Sequence, residues 1–168
     1  MTAAFLFGGP RLSAEVIDRV LAVVSGQTIT SSDVEAAAAF GTAANLQELI
    51  DRILMLNEVR RVAPPEPASA DVQARLARIR ARFPSTAAFA RTLAVSGIEE
   101  SALAGIAADD LRLAAYLEER FSAASQPTDE EVRQAGEASR ERLTTERRQT
   151  LVNAWIAELR RRAEITVL

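Results

Sequence analysis

The two ends of this 168-residue chain carry its β-prone segments, and the long stretch between them reads as helix. Near the start, Val16-Ile17-Asp18-Arg19-Val20-Leu21-Ala22-Val23-Val24-Ser25-Gly26-Gln27-Thr28-Ile29-Thr30 has the composition of two strands around a tight turn. At the finish, Glu164-Ile165-Thr166-Val167-Leu168 is a short strand that follows a helical stretch from Trp155 to Ala163. A two-stranded hairpin alone is marginal in water, and a third strand makes it persist. The expectation is therefore a head-to-tail closure in which the last residues pair with the first. It makes residues 16–168 one domain, mainly α with a small β element. An N-terminal hairpin and a C-terminal strand then close about six helices, and residues 129–168 form the returning arm.

Composition narrows the class. Hydrophobic residues at 48% and charged residues at 26% are ordinary for a globular domain. The net charge is −3, whereas nucleic-acid binders concentrate basic surface, so no nucleic-acid partner is expected. Every basic residue is arginine and roughly a fifth of the chain is alanine, a bias that GC-rich codons explain and that favours helix. There is no cysteine and no histidine. Thiolate chemistry, cysteine-ligated metal, the commonest general base and the commonest transition-metal ligand are all missing. No cofactor, metal or catalytic residue is assigned. Residues 1–15 contain the apolar run Ala3-Ala4-Phe5-Leu6-Phe7-Gly8-Gly9-Pro10. They read either as a poorly ordered terminus or as the remnant of a secretory signal without its basic start. No other stretch approaches the roughly 20 apolar residues of a membrane span.

Capping signals punctuate the helical body. Ser32-Asp33-Val34-Glu35, Asn45-Leu46-Gln47-Glu48 and Thr128-Asp129-Glu130-Glu131 have the form of capping boxes, and Ser69 is expected to cap another helix. The helix opened at Asn45 has apolar residues over most of its circumference and should be the centre of the core. Pro64-Pro65-Glu66-Pro67 ends it. The next helix carries Val72, Leu76, Ile79 and Phe83 in a narrow stripe, with Arg75, Arg78, Arg80 and Arg82 expected in water. A fourth runs from Pro84-Ser85-Thr86 to Gly97, and a fifth from about Glu99 to Phe121. Asp110 falls inside the apolar stripe of that fifth helix, so it should sit at the rim or against an arginine. Ser122-Ala123-Ala124-Ser125-Gln126-Pro127 reads as a linker. The last helix, from Asp129, is solvated in its first half and apolar in its second. Gly136 is a candidate kink.

The order of these pieces resembles the N-terminal domain of the SurA family of periplasmic chaperones. The likeness rests on residues 20–34, on Leu49-Ile50-Asp51-Arg52-Ile53-Leu54-Met55-Leu56-Asn57-Glu58, on residues 89–98 followed by 111–117, and on the ending from Trp155 to Leu168. In that family one or two parvulin-type prolyl isomerase domains precede the C-terminal helix. Here about 18 residues separate Val132 from Leu151, and compact domains rarely fall below about 50. The resemblance therefore implies a periplasmic holdase that binds unfolded, aromatic-rich segments of outer-membrane proteins, without isomerase activity.

Candidate peptide-contacting residues are Leu76, Ile79, Phe83, Phe89, Leu93 and Leu103, each of which could equally be ordinary core. The alternative function is a structural or assembly protein that forms a permanent homodimer through its apolar helix faces, with the last helix reaching across. An enzymatic reading would have to rest on Asp109 and Asp110. Neighbouring residues on a helix point about 100° apart, so the two cannot jointly face one substrate.

Overall fold

The computed structural model describes residues 18–168. The expectations for residues 1–15, and for Val16 and Ile17, lie outside the described residues. β1 (Val20–Val24) and β2 (Gln27–Thr30) are joined by Ser25 and Gly26, both at positive φ (48° and 82°), as a two-residue type I′ turn requires. β3 (Ile165–Val167) lies antiparallel on the other side of β1, so the strand order is β2-β1-β3. Val24 faces Ile165, and Ala22 faces Val167. The ladder extends at both ends: the Ser25 N–H donates to the Glu164 carbonyl (2.8 Å), and the Leu168 N–H to the Leu21 carbonyl (3.0 Å). The head-to-tail closure expected from the sequence is present. One face of the sheet, with Ala22, Val24 and Ile29 all fully buried, forms a wall of the core.

Among the described residues, seven α-helices fill the space between the strands, so these residues are mainly helical with a three-stranded antiparallel sheet. α1 (Ser31–Phe40) is capped two residues earlier than expected. Thr30, still extended as it leaves β2, accepts from the Asp33 N–H, and the Asp33 carboxylate accepts from the Thr30 N–H. The box is therefore Thr30 with Asp33, and Ser32 and Glu35 stand inside the helix. α2 (Leu46–Val62) is capped by Asn45 as expected. α3 (Ser69–Arg80) has Ala68 at its N-cap with no side-chain bond; Ser69 is already helical, so its hydroxyl does not act as the cap. α4 (Thr86–Ser96) is capped by Ser85 and stopped by Gly97.

α5 (Glu100–Ser125) runs through the segment expected to be a linker. Alanines 123 and 124 favour helix, the Ser125 hydroxyl donates to the Ser122 carbonyl (2.9 Å), and Phe121 and Ser125 are buried against the body. The helix stops at Gln126 because Pro127 disfavours helical geometry in the residue before it. At 26 residues it is about 39 Å long.

The returning arm is broken at Gly136. α6 (Asp129–Ala135) and α7 (Arg140–Arg162) meet at an elbow made of Gly136 and the 3-10 turn Glu137–Ser139. Thr128 caps α6 with Glu131, and Arg147 of α7 reaches the same carboxylate (2.5 Å). These bonds, the Thr128 N–H first, pull the Glu131 carboxyl down to about 2. A carboxyl lowered on folding adds stability that is complete above its ordinary value of 4.5 and is lost progressively as pH falls from there to about 2. α7 docks through Trp155 and Leu159, with the Trp155 ring 5.5 Å from Tyr116 and 5.9 Å from Phe121. Arg160 pins its end on Asp51 (2.5 Å) and on the side chain and carbonyl of Gln47.

Deleting residues 165–168 removes the ladder bonds and the half-buried Ile165, worth about 2 kcal/mol together. For a domain of this size the melting temperature should fall by about 4–8 °C. Unchanged thermal melting by circular dichroism would show that β3 adds nothing to the closure.

Candidate binding surface

The buried apolar residues fall into two clusters. The first joins the sheet, α2, the C-terminal half of α5 and α7, around Ile50, Leu54, Tyr116 and Trp155. The second joins α1, α3, α4 and the N-terminal half of α5, around Phe40, Leu76, Ile79, Phe89 and Leu103. In it the rings of Phe40, Phe83 and Phe89 pack with centroids 5.3–6.5 Å apart, mostly edge to face.

Asp110 lies on α5 where the two clusters meet. Its carboxylate is held by Arg52 of α2 (2.6 Å) and Arg75 of α3 (2.5 Å), and only 10% of its side chain is exposed. Asp109 beside it takes Arg60 (2.8 Å) and Arg112 (3.0 Å), and Arg112 also holds Glu66. Both carboxylates are thus committed to structure, Asp109 to Arg60 of α2 and Arg112 of α5, Asp110 to Arg52 of α2 and Arg75 of α3. Asp110 is paired with arginine, as the sequence requires. The expected water-facing arginine surface holds for Arg78, Arg80 and Arg82, which are exposed, with Arg80 also pairing with Glu100 and Arg82 donating to the Phe40 carbonyl (3.0 Å); it is corrected for Arg75, which turns inward to Asp110. Among the described residues, no group of acidic side chains could hold a metal ion. No helix among them is long and apolar enough to cross a membrane.

Of the six residues singled out in the sequence, Leu76, Ile79, Phe89 and Leu103 are buried, and Phe83 and Leu93 are half-buried against them. All six belong to the second cluster, and none lines the open surface described next.

That surface is a groove of about 400 Å³ between α1 and α4. Its walls are small residues, Ala36 and Ala39 on α1 and Ala88 on α4, with Val95 at 83% exposure along one side. The Thr92 hydroxyl donates to the Ala88 carbonyl (3.1 Å) and the Ser96 hydroxyl to the Thr92 carbonyl (2.8 Å), so these polar residues satisfy themselves within α4. Glu35 stands on the α1 side and Arg91 on the α4 side, and neither has an ion pair or side-chain hydrogen bond among the described residues. The arrangement offers an apolar floor between one acceptor and one donor. A separate cleft of about 200 Å³, lined by Ile29, Phe40, Leu49, Ile53, Ile98 and Ile106, follows the seam between the clusters. It is smaller than the 300 Å³ at which ligand pockets begin.

Large apolar residues carry the strongest sequence signal for contact, and those are the residues a fold buries rather than leaves lining the α1–α4 groove. The signal that pointed to it was the alanine run at residues 36–39 with Ala88 and an unburied valine near the end of α4. No model of a known protein family matches the chain, and no curated protein is significantly similar to it.

Asp110→Ala leaves two arginines facing each other at the junction. It should destabilise the protein by about 3–5 kcal/mol, as breaking a buried pair does. Urea denaturation at neutral pH measures it, and a loss under about 1 kcal/mol would mean that the junction is not held by this carboxylate.

Proposed function

We propose that this protein is a holdase-type chaperone of the SurA N-terminal-domain kind, acting in the periplasm on unfolded, aromatic-rich segments of outer-membrane proteins. The observation that carries the reading is the return of β3 to β1 around an uninterrupted helical body, the order of elements that the resemblance implies. The α1–α4 groove supplies the chemistry. An extended client segment would lay apolar side chains on the alanine floor and against Val95, donate backbone N–H to Glu35 and accept from Arg91. Such contacts are tolerant of sequence, as a holdase needs, and demand no titrating or nucleophilic constellation.

Isomerase activity is no part of this reading. Residues 133–150 make up the end of α6, the elbow and the first half of α7. The histidine and cysteine on which parvulin active sites draw do not occur in the chain.

The purified protein should suppress aggregation of an unfolded β-barrel protein and show no prolyl isomerisation above background. Val95→Asp places a charge on the groove wall without touching the core. It should weaken suppression by about tenfold, the equivalent of about 1.4 kcal/mol, at an unchanged melting temperature. Full suppression by that variant would remove the groove as the client site, and measurable isomerase turnover would overturn the functional reading.

A further inference from the structure

The elbow at residues 136–139 is the one break in an arm that is otherwise helical from Asp129 to Arg162. Gly136 sits at φ 86° and ψ 145°, backbone territory that glycine enters at no steric cost and other residues enter only under strain. Its neighbours Ala135, Glu137 and Ala138 are good helix formers, and no proline lies between Pro127 and the end of α7. The local alternative to the elbow is therefore one straight helix from Asp129 to Arg162, about 51 Å long.

The bent form is held across the elbow by polar contacts: Arg140 pairs with Asp129 (3.5 Å), the Ser139 hydroxyl donates to the Ala135 carbonyl (2.8 Å), and a latch is formed by Arg147. Arg147 bonds the Glu131 carboxylate (2.5 Å) and donates to the Gln126 carbonyl (2.8 Å), and Val132 is buried beneath. In a straight helix Glu131 and Arg147 would stand about 24 Å apart, so that latch opens completely. Straightening also carries Trp155, Leu159 and β3 away from α2, α5 and β1 of the same molecule. An apolar face of that kind does not remain in water, and the surface it vacates is its own complement.

We propose that two copies of this chain exchange α7 and β3 reciprocally through a straightened α6–α7 helix, each strand pairing with β1 of the other copy. The exchange rebuilds every contact of the arm except those of the elbow, which is why swapping an identical element is a low-cost route to a dimer. It is closed and two-fold, because each copy gives and receives the same segment. Gly136 sets the balance: the glycine favours the bent monomer, and any residue that resists its backbone geometry favours exchange.

The chain has no cysteine, so a reporter pair reads without background. Val23 and Thr166 are opposite one another across β1 and β3, at about the 5.5 Å Cα separation that a disulfide spans. In a Val23→Cys, Thr166→Cys background the bent monomer gives an intramolecular disulfide, whereas the exchanged dimer gives a covalent dimer on a non-reducing denaturing gel. Gly136→Ala should raise the covalent dimer several-fold over the parent glycine. Light scattering should show a matching dimer that grows from micromolar to millimolar protein. Arg147→Ala, which keeps the glycine and removes the latch, should act in the same direction and carries the test if Gly136→Ala does not fold. A folded Gly136→Ala that stays monomeric at every concentration would overturn the proposal. So would a dimer whose disulfides remain intramolecular, since it would form through another surface.

Discussion

The Asp110 carboxylate is the point through which both halves of the core are set. It sits on α5 between Ala107, in the cluster with α1, α3 and α4, and Leu113, in the cluster with the sheet, α2 and α7. A carboxylate so nearly buried is tolerable only with its charge and lone pairs satisfied. Arg52 comes from α2 and Arg75 from α3, so satisfying one charge ties three helices together. Apolar packing is tolerant of sliding, whereas an ion pair with a bidentate donor is not. Arg75 meets Asp110 through both Nε (3.0 Å) and a terminal nitrogen (2.5 Å). This contact ties α3 to α5 at the junction. α1 and α4, which form the groove, pack in the same cluster as α3.

Closure of the sheet is the second constraint, and β3 does not achieve it unaided. Three strand residues cannot hold an arm of nearly forty against its own entropy. The arm is placed first by side chains: Trp155 among Tyr116 and Phe121, and Arg160 on Asp51 and Gln47. Arg120 lies over all three rings, 5.5–5.9 Å from their centroids, and covers the aromatic cluster with a cation whose charged end stays wet. With α7 so located, β3 emerges beside β1 and needs only local order to pair. The sheet is thus a consequence of helix docking as much as its cause, and β1 becomes central because both of its edges are taken.

Much of this was legible in the sequence where the signal is local. The turn residues and strand composition marked the hairpin, the β-rich ending marked its third strand, and Asn45, Ser85 and Thr128 marked helix starts. Errors arose where two local signals compete. Thr30 and Ser32 both begin a capping pattern, and the one that leaves β2 in extended geometry prevails. Residues 122–125 have linker composition, yet Phe121 and Ser125 find buried places, so packing carries α5 onward. The need for a cation at Asp110 could be read from its place in an apolar stripe. Which arginine answers it could not, because Arg52 and Arg75 lie 58 and 35 residues away on separate helices. The groove was the least legible feature. Its walls are alanines, which carry helix propensity but almost no facial signature, while Leu76, Ile79, Phe89 and Leu103 carried the signature and went into the core.

Groove and elbow lie on different elements, the groove on α1 and α4 and the elbow between α6 and α7, and this separation bears on how the two readings combine. Ser32, Glu35, Ala36, Ala39, Ala88, Arg91 and Val95 come from α1 and α4 alone, and no groove residue comes from the arm beyond Pro127. Exchange of α7 and β3 would therefore leave each groove whole while joining two of them in one particle. For a client that is a long unfolded chain, a second groove turns the next binding step into an intramolecular one. Overall affinity can then rise by about 10²–10⁴ without any new contact, provided the chain spans the distance between sites. A weak groove is thus no argument against a holdase. On the proposed reading, weakness at one site would let the client leave, and exchange through the elbow would hold it longer in a way that depends on how much protein is present.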